Sequence, residues 1–184
     1  MTRQLELPIS TEQIESLRVG AEVELSGLVL TGRDQACARL CTLLRDKLPL
    51  PVDPAGELIY FVGPSPAPPG RVIGSAGPTT SGRMDRYIPT LLAAGFRGFI
   101  GKGYLSAQSK AAFVRDRGVY FGAIGGAGAL LSRSITEVKV VAFCELLSEA
   151  MHRMRFKRFP VVVLHDCHGG DLYADVRKGA ATTP

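Results

Sequence analysis

The sequence predicts a layered α/β domain with a partly parallel sheet. Three observations carry that expectation. Apolar, β-branched runs alternate with runs of helical period from residue 23 to residue 122. Glycine-rich loops follow those runs, and the last third of the chain turns predominantly extended. In such a fold, ligand-binding loops gather at the carboxyl ends of the parallel strands.

The first 24 residues carry Glu6, Glu12, Glu15, Glu22 and Glu24 against Arg3 and Arg18, and read as an acidic N-terminal arm that caps or docks elsewhere. VELSGLVL, from Val23 to Leu30, has strand composition and ends at Thr31-Gly32. A helix follows in RDQACARLCTLLRDKL, where Ala36, Leu40, Leu43, Leu44 and Leu48 recur at helical spacing until Pro49. The proline-dense stretch from Leu48 to Gly70 reads as loop, strand (LIYFVG) and loop.

Arg71 to Ser75 is expected to form a short strand, and AGPTTSGRMD a turn into a broken helix capped by Thr79 or Thr80. Pro89 suits the first turn of a second helix, PTLLAA, closed by Gly95. GFIGKG then reads as a strand end, SAQSKAAFVRDRG as a helix and VYFGAIGG as a strand. In the last third, ITEVKVVAF, MHRMRFKRF and PVVVLHD read as extended, and an HGGD turn leads to a short DLYADV strand. Met154 and Phe156 alternate with Arg153, Arg155 and Lys157, a pattern expected of a solvated edge strand.

Composition narrows the function classes. The chain has 184 residues, 46% of them hydrophobic and 21% charged, enough for one core that buries roughly two-thirds of the unfolded surface. Intrinsic disorder is excluded, and no run approaches the roughly 18 apolar residues that span a bilayer. The first residues carry neither a basic nor an apolar leader, which makes the cytoplasm the expectation. Cys37, Cys41, Cys144 and Cys167 have no CxxC spacing, so neither a disulfide framework nor a self-contained zinc or iron–sulfur site is expected. Net charge is +5, and 16 of the 22 basic residues are arginine, the fork that grips carboxylate or phosphate bidentately. That bias suggests small anionic ligands, with no nucleic acid and no membrane as partner.

Three segments at expected strand ends combine glycine, hydroxyl and cation: Thr31-Gly32-Arg33-Asp34, Gly77-Pro78-Thr79-Thr80-Ser81-Gly82-Arg83, and Gly101-Lys102-Gly103. Glycine lets backbone approach a ligand, free amides at helix starts favour negative charge, and Arg33, Arg83 and Lys102 add full positive charges. Each loop alone is a common turn with a solvated cation. Together they point to an anion pocket.

SGLVLTGRDQACARL, SAGPTTSGRMDRYIPTLLAAGF, GFIGKG and YFGAIGGAGALLS occur in that order. With this spacing the chain resembles the β subunit, or equivalent C-terminal domain, of class I fumarase and L(+)-tartrate dehydratase, from roughly Leu25 to Tyr173. The resemblance implies a swivelling β/β/α domain over 25–178, preceded by the arm at 1–24 and followed by a tail at 179–184. It implies a hydro-lyase acting on a four-carbon dicarboxylate, beside an α subunit whose own cysteines hold a 4Fe-4S cluster, in an assembly of two α and two β subunits.

Carried over residue by residue, the resemblance gives Arg33, Arg83 and Lys102 the substrate carboxylates and Thr79 the role of base. A threonine hydroxyl is barely ionised at neutral pH, so its oxyanion needs nearby cations and amide donors. The same cations would stabilise charge developing on the substrate as an aci-anion, while the cluster's open iron would act as Lewis acid on the leaving hydroxyl. The leading expectation is fumarate hydration to L-malate. The alternatives are tartrate dehydration and a non-catalytic anion-binding or scaffold module. Thr79 as a purely structural residue also stays open.

One departure concerns Cys37, because the family's first motif usually continues to histidine there, and a thiol is a poorer hydrogen-bond partner. Asp34 and Asp85 are expected to orient the arginines of their motifs. His165, Asp166, Cys167, His168 and Asp171 cluster around a Gly-Gly turn, where alternation points neighbours to opposite faces, so no metal is assigned to them. Gly125, Gly126 and Gly128 match GxGxxG only loosely and lack an acidic partner, which argues against a nucleotide cofactor.

Overall fold

The computed structural model describes residues 2–181, and the side chains of residues 2–178. Within them the chain runs β1 (Arg3–Leu7), α1 (Thr11–Glu15), β2 (Glu22–Thr31), α2 (Asp34–Arg45), β3 (Leu58–Tyr60), α3 (Ile88–Ala93), β4 (Gly98–Gly101) and α4 (Ala107–Arg115). It continues with β5 (Val119–Gly122), α5 (Gly128–Leu131), β6 (Ile135–Ala142), β7 (Met151–His165) and α6 (Leu172–Ala181). Short 3₁₀ turns at Ser81–Arg83 and Asp85–Tyr87 precede α3, and another covers Cys144–Glu149 between β6 and β7.

The strands β2, β3, β4 and β5 are parallel neighbours, as the alternation of strand and helix requires. β7 runs antiparallel between β5 and β2, so the pairings β2-β3-β4-β5-β7 return to β2 and close a ring. Two apolar layers follow. Leu25, Tyr60, Phe121, Phe156, Phe159 and Val163 belong to one core, while Leu40, Phe61, Met84, Leu91, Phe99 and Phe113 belong to a second beneath the helices. Tyr60 and Phe61 are consecutive yet lie in different cores, because successive strand residues face opposite ways. This explains why LIY, GFIG and VYFG are buried at every position, the mark of parallel strands covered on both faces.

Four local expectations are corrected. The first 24 residues are no detached arm: β1 pairs in parallel with β2 from Arg3↔Val23 to Leu7↔Gly27, and Leu5, Leu7, Ile9, Ile14 and Leu17 enter the first core. Their glutamates mark the outward positions of an amphipathic segment. Arg71 to Ser75 forms no strand. Prolines 64, 66, 68 and 69 remove ladder donors, and the loop closes on itself through Ser65 N–H to Ser75 O (3.0 Å) and Ser75 N–H to Ser65 Oγ (2.7 Å).

DLYADV opens a helix, because Asp171 Oδ1 accepts from the N–H groups of Tyr173 (3.0 Å) and Ala174 (3.2 Å) and so caps α6. β7 is no edge strand either. It is flanked by β2 on one side and by β5 and β6 on the other, while Arg155, Lys157 and Arg158 simply face solvent. Of the tail expected at 179–184, residues 179–181 continue α6 and residues 182–184 lie outside the described residues. Among the described residues, no helix is long and apolar enough to cross a membrane.

Candidate functional site

The carboxyl ends of β2 and β4 lead directly into the first and third loops, and the second, residues 77–83, returns from the proline-rich segment to lie against the ends of β3 and β4. At β2 the buried Thr31 hydroxyl accepts the His152 N–H (2.9 Å), fastening the strand end to β7 just before Gly32-Arg33. Arg33 begins α2 and lies in a slot with no room for a side chain on its neighbour: a Cβ on Gly63 would stand 2.5 Å from one Arg33 terminal nitrogen and 2.9 Å from its Cδ. Glu149 approaches the guanidinium at 3.5 Å, and its other oxygen accepts the Gln35 N–H (3.1 Å) in the first turn of α2. The Arg33 Nε is buried without a partner among the described residues.

The GPTTSGR segment is sewn between the extensions of β3 and β4. Tyr60 donates its phenol to Ala76 O (2.6 Å), Thr79 N–H donates to Phe61 O (2.8 Å), and Thr80 bridges to Lys102 in parallel register. Ser81 N–H then donates to Lys102 O (2.9 Å). This places Thr79 half-buried at the strand edge, and its hydroxyl has no hydrogen-bond partner among the described residues. Thr80 begins the 3₁₀ turn but makes no side-chain cap, so the capping expected of Thr79 or Thr80 is not realised. Arg83, two residues beyond Ser81, is gripped by the carboxylate of Asp34, Nε to Oδ1 at 3.1 Å and a terminal nitrogen to Oδ2 at 2.8 Å. Asp34 therefore orients the arginine of the second motif and ties that motif to the first. Asp85 does not orient an arginine: it accepts the Ser106 N–H (3.0 Å) and holds the start of α4.

Lys102 follows β4. Its side chain rests over Gly125, where a Cβ would meet Nζ at 3.5 Å, and its ammonium has no ion pair among the described residues. The structure thus brings Arg33, Asp34 and Arg83 together directly. It places Thr79 and Lys102 on the same edge through the backbone bonds of residues 79–81. An edge with three cations, two of them aimed by internal carboxylates, can hold an anion with more than one negative group. The Thr79 hydroxyl belongs to the same group of loops and has no hydrogen-bond partner among the described residues.

Cys37 takes no part in that surface. It is fully buried beneath the turn, and burial foremost, then Cys41, Asp34 and Glu149, pushes its thiol well above the ordinary cysteine range. Where the resemblance expects histidine, this chain supplies neutral packing. The His165–Asp171 group is spent on structure: Asp166 accepts from the N–H groups of Val19, His168 and Gly170, and Asp171 pairs with Lys110 at 2.6 Å. The four cysteines are free and dispersed, and no three His, Cys, Asp or Glu side chains among the described residues are grouped to hold a metal ion. These residues do not fit an iron–sulfur cluster.

Sequence reasoning missed Glu149, Tyr60 and Tyr120, and placed Ser81 in the second loop without its partners; these side chains position the rest. Glu149 is delivered by a turn in which Leu147 adopts φ 54°, ψ −114°, a backbone region suited to glycine, and the Leu147 side chain is 79% exposed. Relief of about 1–3 kcal/mol of such strain exceeds the roughly 0.5–1 kcal/mol entropic cost of glycine. Leu147→Gly is therefore expected to stabilise the chain by about 1 kcal/mol, raising Tm by roughly 2–4 °C. An unchanged or lower Tm in calorimetry would refute that reading of the turn.

Comparison with known proteins gives a consistent pattern. The family model described as Fumarase C-terminus matches residues 2–176. Fumarate hydratase 2 of Leishmania major is 36% identical over 165 residues, covering 89% of this chain and 29% of its own length. The anaerobic class I fumarate hydratase of Escherichia coli K12 is 36% identical over 166 residues, covering 89% of this chain and 30% of its own length. A protein of Methanocaldococcus jannaschii bearing the name "Putative L(+)-tartrate dehydratase subunit beta" is 31% identical over 176 residues, covering 92% of this chain and 90% of its own length. The chain thus spans about a third of the two fumarate hydratases and nearly the whole of the subunit.

Proposed function

The chain belongs to the Fumarase C-terminus family, and from that premise we propose that it is the β subunit of a two-component hydro-lyase, here the reversible hydration of fumarate to L-malate. The observation that supports this reading is that the loops carrying Arg33, Thr79, Arg83 and Lys102 are linked at the ends of the parallel strands, with Asp34 paired to Arg83 and Glu149 beside Arg33. In the dehydration direction, the guanidinium forks and the ammonium bind the two carboxylates of malate. Thr79 Oγ, as the alkoxide, takes the proton from the carbon next to one carboxylate. The cations stabilise the negative charge that develops on that carboxylate as the carbon–hydrogen bond breaks. The hydroxyl departs from the adjacent carbon with the electron pair of its bond and takes up the proton that Thr79 removed, which restores the alkoxide, so that the sum is malate to fumarate plus water.

The chemistry at the departing hydroxyl needs an electrophile that this chain's donors do not fit. That part is assigned to a 4Fe-4S cluster on a cysteine-bearing α subunit, whose open iron would act as Lewis acid toward the hydroxyl. The isolated chain is accordingly expected to be inactive, and the working assembly to be a hetero-oligomer in the cytoplasm.

A second reading, L(+)-tartrate dehydration, is favoured by one observation: the M. jannaschii relative that matches this chain nearly end to end carries that name. The experiment is anaerobic reconstitution with the α subunit, followed by assays on fumarate, L-malate and both tartrate enantiomers. Turnover of malate well above tartrate is expected. Preferential turnover of L(+)-tartrate would replace the first reading by the second. Absence of turnover on any of them would leave an anion-binding scaffold.

A further inference from the structure

From the buried hydroxyls behind the site, we propose that Tyr120 and Ser81 are positioning residues that set the separation between the Thr79–Arg83 loop and Lys102. The inference rests on the reading above for its catalytic consequence, and its geometry stands independently of that reading.

Tyr120 comes from β5 and is fully buried, as is Ser81. The Tyr120 oxygen lies 2.9 Å from Ser81 Oγ and 3.1 Å from Gly103 O, and Ser81 Oγ lies 3.1 Å from the Lys102 backbone nitrogen. A phenol has one proton, and a carbonyl oxygen can only accept, so the assignment that satisfies every group is unique. Lys102 N–H donates to Ser81 Oγ, Ser81 O–H donates to the Tyr120 oxygen, and Tyr120 O–H donates to Gly103 O. The relay therefore holds the peptide that precedes Lys102 and the peptide that follows Gly103 and, through Ser81, the loop that carries Thr79 and Arg83. Burial raises the Tyr120 phenol well above its ordinary range, so it remains a donor at neutral pH.

Two further contacts show that the relay is built into the seam. A Cβ on Gly101 would collide with Ser81 Oγ, so glycine is what lets the two loops approach. From the opposite side the Gly103 N–H donates to the Tyr173 hydroxyl (3.3 Å), which fixes the GKG loop against α6. Tyr120 also stacks on His165, with centroids 5.5 Å apart, so its ring stays in place when the hydroxyl is removed. Neither Tyr120 nor Ser81 reaches the open edge where a dicarboxylate would sit. They act through Lys102 and through the loop they hold.

The test uses Tyr120→Phe and Ser81→Ala with two readouts. In the full-length chain, amide hydrogen exchange at Lys102 and Gly103 is expected to accelerate at least about tenfold in Tyr120→Phe, while amides of β3 keep their wild-type rates. In the reconstituted enzyme, Tyr120→Phe is expected to lower kcat/KM about tenfold, and to cost clearly less than that in a Lys102→Ala background, where only the share carried by the Thr79–Arg83 loop remains. Unchanged exchange at Lys102, uniform acceleration across β3 and β5, or an equal loss in the Lys102→Ala background would each overturn the proposal. Ser81→Ala must reproduce the exchange pattern, since it removes the middle hydroxyl of the same relay. If wild-type reconstitution shows no turnover at all, the hydro-lyase reading fails and the exchange measurement alone decides the positioning claim.

Discussion

Thr79→Ala is expected to lower kcat of the reconstituted enzyme by roughly 10²- to 10⁴-fold, the range over which a positioned general base contributes. KM should move by no more than a few-fold. The split follows from geometry. Thr79 is held by its backbone N–H on Phe61 O, which alanine keeps, while its hydroxyl is bonded to nothing among the described residues. Folding therefore loses little, and Tm should change by less than the equivalent of about 0.5–1 kcal/mol. Thr79→Ser retains the oxygen and should recover most of the loss. A variant with raised KM and intact kcat would show that Thr79 only positions substrate, because uniform binding is then what was lost.

The comparison between sequence and structure turns on where information is local. The strands β2 to β5 and the helices between them are legible because apolar period and turn residues coincide, as at Ser106, whose side chain caps α4, and at Pro89 in the first turn of α3. Arg33, Thr79, Arg83 and Lys102 are legible for a related reason. Their loops are rich in glycine and lie by strand ends, where the fold class predicts ligands, while Thr79 itself is singled out only by the resemblance.

What sequence could not give depends on distance along the chain. Asp34 grips Arg83 across 49 positions, and Glu149 reaches Gln35 across 114. No periodicity encodes either pair. The first strand is masked by its charge: Glu6 and Arg3 dominate the composition, whereas the alternation Leu5, Leu7, Ile9 carries the buried face. DLYADV reads as a strand from its sequence, and the helix there becomes plain only once its first residue, Asp171, is seen to cap the amides of Tyr173 and Ala174. Tyr120, inside a buried strand, reads as packing until its hydroxyl's partners are known.

The carboxylate beneath Arg83 makes a demanding test of charge against shape. In Arg83→Lys the net charge is unchanged, yet kcat/KM is expected to fall about 10²-fold, because a point charge cannot serve two carboxylates that a planar fork serves at once. Arg83 spends Nε and one terminal nitrogen on Asp34, at 3.1 and 2.8 Å, and half of its side chain remains open to solvent. The donors left over lie on the far side of the same rigid plane, so Asp34 determines the direction in which they point. A lysine at this place would lend its ammonium to Asp34 and offer a substrate only what that pair leaves. Stability is not at stake, since an exposed pair of this kind is worth roughly 0–1 kcal/mol; Tm should stay within a few degrees of wild type while activity collapses. Asp34→Asn supplies the complementary arm: the fork survives but loses its ionic anchor, and KM should rise more than kcat falls. Near-normal kcat/KM in Arg83→Lys would mean that charge alone suffices at this position, and the bidentate grip on substrate would have to be assigned to Arg33.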